Sequence, residues 1–272
     1  MGFSIRFSLL LLISAWHFGY VADGAALRDG RFSDVLRDVR LETNGQSFVA
    51  SNELKFQDGL IRTGRDSRAE LSFGDKSTVR LGDNSLVKVD SKDRTFDLES
   101  GAILAQVPSQ VGGTLVKVRH VTATATGTTL AVEFLPNAYI KFISLDGTSR
   151  LCVKKGAFAS DCVLLRAGQM IIAGPDPKML PDAVDVDLNR FLETCEFITK
   201  FHPLPGHDRL AKAARIQRDR KSHGSFAETN LVIFGRGTLV SQRNVPTNRQ
   251  GGPGQDTAAP ARSPQQTHTP SP

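Results

Sequence analysis

The chain has 272 residues, enough for one or two domains. Its 34 Lys/Arg exceed its 28 Asp/Glu, giving +6. The whole excess falls in residues 206–272, with ten basic against four acidic side chains, so residues 1–205 are neutral. The basic balance therefore gives no ground for a nucleic-acid-binding face on a domain built from the first 205 residues.

The chain opens with Arg6 as the only Lys, Arg, Asp or Glu among its first 22 residues. Phe7 to Phe18 is almost wholly apolar, and small residues follow at Ala22, Gly24, Ala25 and Ala26. This predicts a secretory signal peptide over 1–25, cut within 22–26. An uncleaved anchor is the other reading, but the apolar run is shorter than the roughly 20 residues of a span. No cysteine stands near the cut to carry a lipid, and no second long apolar run follows. The mature chain is expected to be exported, periplasmic or secreted, with no stable membrane span.

Residues 31–174 read as one β-rich domain. Ala69, Leu71 and Phe73 alternate with polar residues, as do Val79 and Leu81, Val87 and Val89, Ile103, Ala105 and Val107, and Val116 and Val118. Glycine or Asp/Asn/Ser clusters close each run, the mark of short strands joined by tight turns. Each strand buries one face, so two layers or a coiled sheet must enclose the core. The alternation points Leu71, Leu81 and Phe142 inward, and Lys117 and Lys141 outward. Cys152 and Cys162 flank a turn at Lys154-Lys155-Gly156. If the flanking strands pair, the two sulfurs face each other, and an export compartment lets them oxidise; two separate buried thiols are the other reading.

Pro175, Pro177 and Pro181 mark a linker. A helical segment is expected over 182–222. Asp187 is its N-cap, followed by an apolar stripe of Leu188, Phe191, Leu192, Cys195, Ile198 and Phe201 that packs on the β domain. Cys195 belongs to that packing. Pro203-Leu204-Pro205-Gly206 ends the stripe, and a basic, weakly apolar helix follows over Asp208–Lys221. Leu231–Phe234 reads as a short strand. Residues 241–272 are Pro, Gln, Thr, Ser and Gly with almost no bulky apolar residue, which predicts disorder.

Several blocks in the β region carry a resemblance. Asp58, Ile61, Thr63 and Gly64 form one, and Ser67-Arg68-Ala69-Glu70-Leu71 a second. Asp75, Ser77, Arg80, Leu81, Gly82, Asn84 and Ser85 follow, then Leu98 and Gly101. Val118, Thr122, Ala125, Gly127, Thr128, Val132 and Phe134 come next, then Leu145-Asp146-Gly147 and Ala167-Gly168-Gln169. In this order and spacing they resemble the FecR family, over about Ala50 to Ile172. There are departures: Gln57 stands for a glycine, Gly59 is extra, and His120 replaces a threonine. The resemblance implies a mainly β domain, a compact β-solenoid or a twisted β-sandwich. It also implies sensory work between envelope proteins. The family's cytoplasmic anti-sigma segment has no counterpart before the apolar stretch, so the chain reads as a stand-alone exported form.

No G-x-S-x-G, H-E-x-x-H, P-loop or dinucleotide fingerprint occurs in the sequence. His120, His202, His207, His223 and His268 lack partners at metal-ligand spacing. Asp58, Asp75, Asp83 and Asp146 sit beside Gly and Asn, where Asp caps turns. Arg62, Arg68 and Arg80 recur near strand ends, and are expected to bond turn carbonyls and Glu70 or Asp83 rather than an acidic ligand. No catalytic residue, cofactor or metal is expected. The sequence points to a non-catalytic envelope interaction or signalling module. The alternative is a cell-wall or glycan-binding module aided by its basic tail.

Overall fold

The computed structural model describes residues 25–155 and 159–222. The signal peptide expected over 1–25 lies, but for Ala25, outside them. So do the Leu231–Phe234 strand, His223, His268 and the 241–272 tail.

The first strands are β1 (Gly30–Leu36), β2 (Val39–Thr43), β3 (Gln46–Val49), β4 (Lys55–Phe56), β5 (Gly59–Thr63) and β6 (Arg68–Ser72). Then come β7 (Thr78–Leu81), β8 (Leu86–Asp90), β9 (Thr95–Gln106), β10 (Thr114–Val118), β11 (Val121–Ala125) and β12 (Thr129–Leu135). The last are β13 (Tyr139–Asp146), β14 (Thr148–Lys155), β15 (Ala159–Arg166), β16 (Gln169–Ala173) and β17 (Val184–Asp185). Three helices follow: α1 (Leu188–Thr194), α2 (Glu196–Thr199) and α3 (His207–Ser222).

The chain is mainly β, as the sequence implies. Its strands form one open mixed sheet, with ladders falling into two layers. In the first the order is β4-β1-β6-β7-β9-β12-β13-β16-β17. In the second it is β3-β2-β5-β8-β9-β10-β11-β14-β15. Every ladder is antiparallel except β9 with β10. Antiparallel pairing gives the layered form rather than a solenoid of parallel coils.

Strand β9 belongs to both layers. Thr95 to Ser100 pair with β8 in the second, and Gly101 to Gln106 pair with β12 in the first. The crossing falls at Gly101, with φ +85°, where a Cβ would stand 2.5 Å from the Cα of Ser85. Only glycine fits both the left-handed backbone and the close approach.

One apolar core lies between the layers. Phe32, Leu71, Leu81, Ile103 and Phe142 come from the first, and Ile61, Val87, Leu98, Val116 and Leu151 from the second. Ring contacts run through Phe32, Phe56, Phe73 and Phe96, with successive centroids 5.2, 6.0 and 5.8 Å apart, the first pair tilted and the other two edge-on. Period-two burial in β6, β10 and β11 follows the sequence alternation.

A second core covers the outside of the first layer. Ala102, Leu104, Ala131, Ile143, Leu145 and Met170 point away from the sandwich interior, and Leu188, Phe191, Phe197, Leu204, Leu210 and Ala214 pack over them. Two expectations change here. Lys141 does point away from the main core, but it is only 1 % exposed and pairs with Glu133 at 2.6 Å. The apolar stripe is not one helix: Asp187 caps α1 by accepting from Arg190 N at 3.1 Å, but the chain is extended at Cys195 before α2 starts.

Leu81→Ala should lower stability by about 2–5 kcal/mol through cavity formation. Lys117→Ala, on a half-exposed side chain, should stay within about 0.5 kcal/mol of the parent. Lys141→Ala takes the counter-charge from the largely buried Glu133, leaving it only the hydrogen bond of Tyr139, and should cost about 3 kcal/mol. Equilibrium denaturation of the three variants checks this order; a neutral Lys141→Ala would show that the pair is solvated.

Candidate functional site

Most signature residues of the β domain build its turns. Asp58 accepts from Ser91 N at 2.7 Å. Thr63 Oγ1 donates to Gly82 O at 2.6 Å and accepts from Ser85 N at 2.8 Å. Gly64 N donates to Asp38 O, and Asp38 N donates to Ser67 Oγ. Asn84 holds φ +50° and donates its backbone N–H to Gly64 O, while Ser85 Oγ accepts from Ala102 N. Thr128 Oγ1 donates to Asp146 O at a turn where Gly127 and Gly147 both have positive φ. Gln169 Oε1 accepts from Arg166 N at 3.0 Å. Asp75 caps Ser77 N and pairs with the buried Arg94 at 2.6 Å. These are structural uses of polar side chains, as Asp and Thr at turns commonly are.

Glu70 and Arg80 are used differently. In β6, Ala69 and Leu71 enter the core and Glu70, between them, faces outward. Antiparallel register sets Glu70 directly opposite Arg80 of β7. Arg80 Nε lies 2.8 Å from Glu70 Oε2, and Glu70 Oε1 accepts from Ser33 Oγ at 2.8 Å. The Arg80 side chain is 1 % exposed. Its remaining nitrogens reach across more than 100 residues of sequence: Nη1 donates to Phe197 O and Nη2 to His202 O. The Phe201 ring lies 4.8 Å from the Arg80 guanidinium and 5.5 Å from that of Arg68. Burial pulls the Arg80 pKa below its ordinary value, and Glu70 opposes the shift.

A cleft of about 610 Å³ opens beside this cluster, lined in part by Arg37, Arg68, Asp83, Glu133, Lys200 and Phe201. It mixes both signs of charge. Burial raises the pKa of Glu133, with Lys141 opposing, and burial also raises that of Tyr139. Lys141 sits 4.9 Å over the Tyr139 ring.

Other polar contacts fasten the helical segment. Gly206 N donates to Gln106 Oε1 at 3.1 Å. Gln217, buried on α3, accepts from Leu188 N at 2.9 Å and donates to Val186 O at 2.7 Å. Gly168 makes room for it, since a Cβ there would lie 2.3 Å from Gln217 Nε2. Arg209 forms an ion pair with Asp146 at 3.2 Å.

Of the three arginines singled out in the sequence, the structure joins Arg68 and Arg80 and leaves Arg62 exposed on the second layer. The expected bond to Glu70 is present. The carbonyls are those of the helical segment, not of turns in the β domain. Phe197, Phe201, Gln106 and Gln217 were not legible as partners; only the apolar stripe hinted at Phe201. His202 contributes its carbonyl rather than its ring. His120 contacts Asp176 on the surface. Among the described residues no group of three or more His, Cys, Asp or Glu could hold a metal.

Cys152 and Cys162 are direct partners across β14 and β15, with bonded sulfurs. Cys195 is free and buried, and burial pushes its thiol pKa up to about 12.

Two outcomes follow. Arg80→Lys cannot reach Glu70 and two carbonyls together, so it should destabilise by about 3–5 kcal/mol in chemical denaturation, as when a buried pair is broken. Thiol titration at pH 8 should find Cys195 unreactive in the folded chain. In denaturant without reductant one thiol should appear, and after reduction three. Three without reduction would show that Cys152 and Cys162 are not bonded in the protein.

Residues 59–139 match the family described as FecR protein, a stretch running from β5 to the start of β13 and holding both Glu70 and Arg80. No curated protein matches the chain. Two crystal structures of a "putative anti-sigma factor" from Parabacteroides distasonis ATCC 8503, at 2.50 and 1.65 Å resolution, are similar at 11% identity and a TM-score of 0.39. Each comparison covers 46% of this chain and 59% of that one, so this chain spans under two thirds of their length. The layers built around Glu70, Arg80 and the β9 crossing thus contain, over residues 59–139, a FecR-family segment.

Proposed function

We propose that the chain is a non-catalytic, exported FecR-domain protein that serves as an interaction or signalling module for a protein partner in the envelope. The family match over residues 59–139 carries this reading. The polar signature residues support it, because Asp58, Thr63, Ser67, Glu70, Arg80 and Ser85 are each engaged in bonds that hold the fold. Export is supported by Arg6 followed by the apolar run and small residues. A bonded Cys152–Cys162 pair suits an oxidising compartment. Among the described residues no helix is long and apolar enough to cross a membrane.

The glycan-binding alternative needs a basic tail. The structure locates most of that charge on α3, which holds six Lys/Arg against two Asp/Glu and packs on the first layer. Residues 223–272 add only four against two. A chain ending at Ser222 keeps that packed helix and removes only the residues beyond it.

Cross-linking recovery from the native envelope, with the full chain and with a chain ending at Ser222, tests the reading. Both should recover the same defined protein, insensitive to moderate salt. Salt-sensitive retention on peptidoglycan or an anionic glycan, in place of a protein partner, would reverse the conclusion.

A further inference from the structure

We propose that Arg80, Arg68 and the adjoining cleft form a recognition site for a polypeptide, held in the free protein by the chain's own Lys200–Pro205 stretch. A partner would present an aromatic side chain next to an outward-facing backbone carbonyl, and take the places of Phe201 and His202. This rests on the reading of a protein partner given above.

The chemistry of the seat is visible in its resident occupant. Arg80 donates to main-chain carbonyls, Phe197 O and His202 O, which any polypeptide can supply. Its planar fork recognises paired acceptors. The selective element is the aromatic ring, which lies within cation–π range of Arg80 and Arg68 together. Arg68 Nε is buried and has no hydrogen-bond partner among the described residues, so a donor beside the ring is unmet. The cleft of about 610 Å³ opens at the same point and gives an incoming chain access.

The occupant is held mainly at its ends. Phe197 and Leu204 are buried, and Gly206 N is fixed by Gln106. Between them Lys200, His202, Pro203 and Pro205 are exposed and Phe201 is only half-buried. Pro203 and Pro205 have no N–H to give to the sheet. The preceding helix, α2, has four residues. The stretch can leave its seat while α1 and α3 stay packed, and Phe197 O can remain on Arg80.

The test uses the full chain and a fluorescein-labelled peptide copying Glu196–Gly206, read by anisotropy. Phe201→Ala should empty the seat and bind the peptide at least tenfold more tightly than the parent. Hydrogen exchange should rise over residues 199–205 and stay unchanged in β12 and β13; should the alanine variant lose β12 and β13 protection, Phe201→Leu replaces it. A peptide with alanine at its Phe201 position should not bind, and adding Arg68→Ala should remove the gain. Equal affinity of parent and variant, equal binding of the alanine peptide, or indifference to Arg68→Ala would each overturn the proposal. Envelope recovery with Arg68→Ala separates the two readings. A partner still recovered sinks the site and leaves the interaction reading, whereas peptide binding with no partner recovered by any form does the reverse.

Discussion

The buried guanidinium of Arg80 sets a condition that much of the structure exists to meet. A guanidinium carries five N–H donors and keeps its charge, so taking it out of water is costly unless nearly every donor finds an acceptor. Glu70, opposite it in the sheet, supplies charge and meets Nε. The other nitrogens need acceptors that the β domain does not provide, and these come from Phe197 and His202. The β signature and the helical segment are therefore bound by one requirement. A helix continuing past Thr199 could not meet it, because the Phe197 carbonyl would accept from the Phe201 N–H within the helix. The end of α2 at Thr199 leaves this carbonyl without a helical partner, and it accepts from Arg80 instead.

The same face explains why the first layer is buried on both sides. Strand β7 is buried at all four positions, and β13 at every position but the first. Its inner side meets the second layer through the main core, and its outer side meets α1, α2 and α3. Complete burial of a leucine or phenylalanine is worth about 1.5–3 kcal/mol. The outer core, with Leu188, Phe191, Phe197, Leu204 and Leu210, thus supplies most of the affinity of the helices for the sheet. The hydrogen bonds from Arg80, Gln106 and Gln217 add less net energy, because water is a competent partner in the unfolded chain. What they fix is register: they decide where on an apolar face the helices come to rest.

That division explains what could be read from the sequence. Alternation at Leu71, Leu81, Val87 and Val116 gave the main core because one-sided burial writes a period of two into a strand. It could not show a second burial surface, since Lys141 and Arg80 occupy positions that alternation assigns to solvent. A charge in such a place is interpretable only with its partner, and Glu133 becomes one through the pairing of β12 with β13. Glu70 and Arg80 were within reach, because ten residues and one tight turn separate them. Phe197 and His202 were not, because nothing local links a strand to a carbonyl more than 100 residues away. The apolar stripe from Leu188 to Phe201 announced packing on the sheet, but not the break at Cys195.

Charge shows the same dependence on context. A count from Gly206 onward describes a basic tail, and the count is correct, yet α3 within it buries Leu210, Ala214 and Gln217 against the β domain. Its outer side keeps Lys212, Arg215 and Arg220 in water, as an amphipathic surface helix should. The basic surface of this protein is thus attached to the folded unit and stands on the same side of the sheet as Arg80, Arg68 and their cleft. Attraction from that side would speed the encounter with an acidic partner more than it would raise the final affinity.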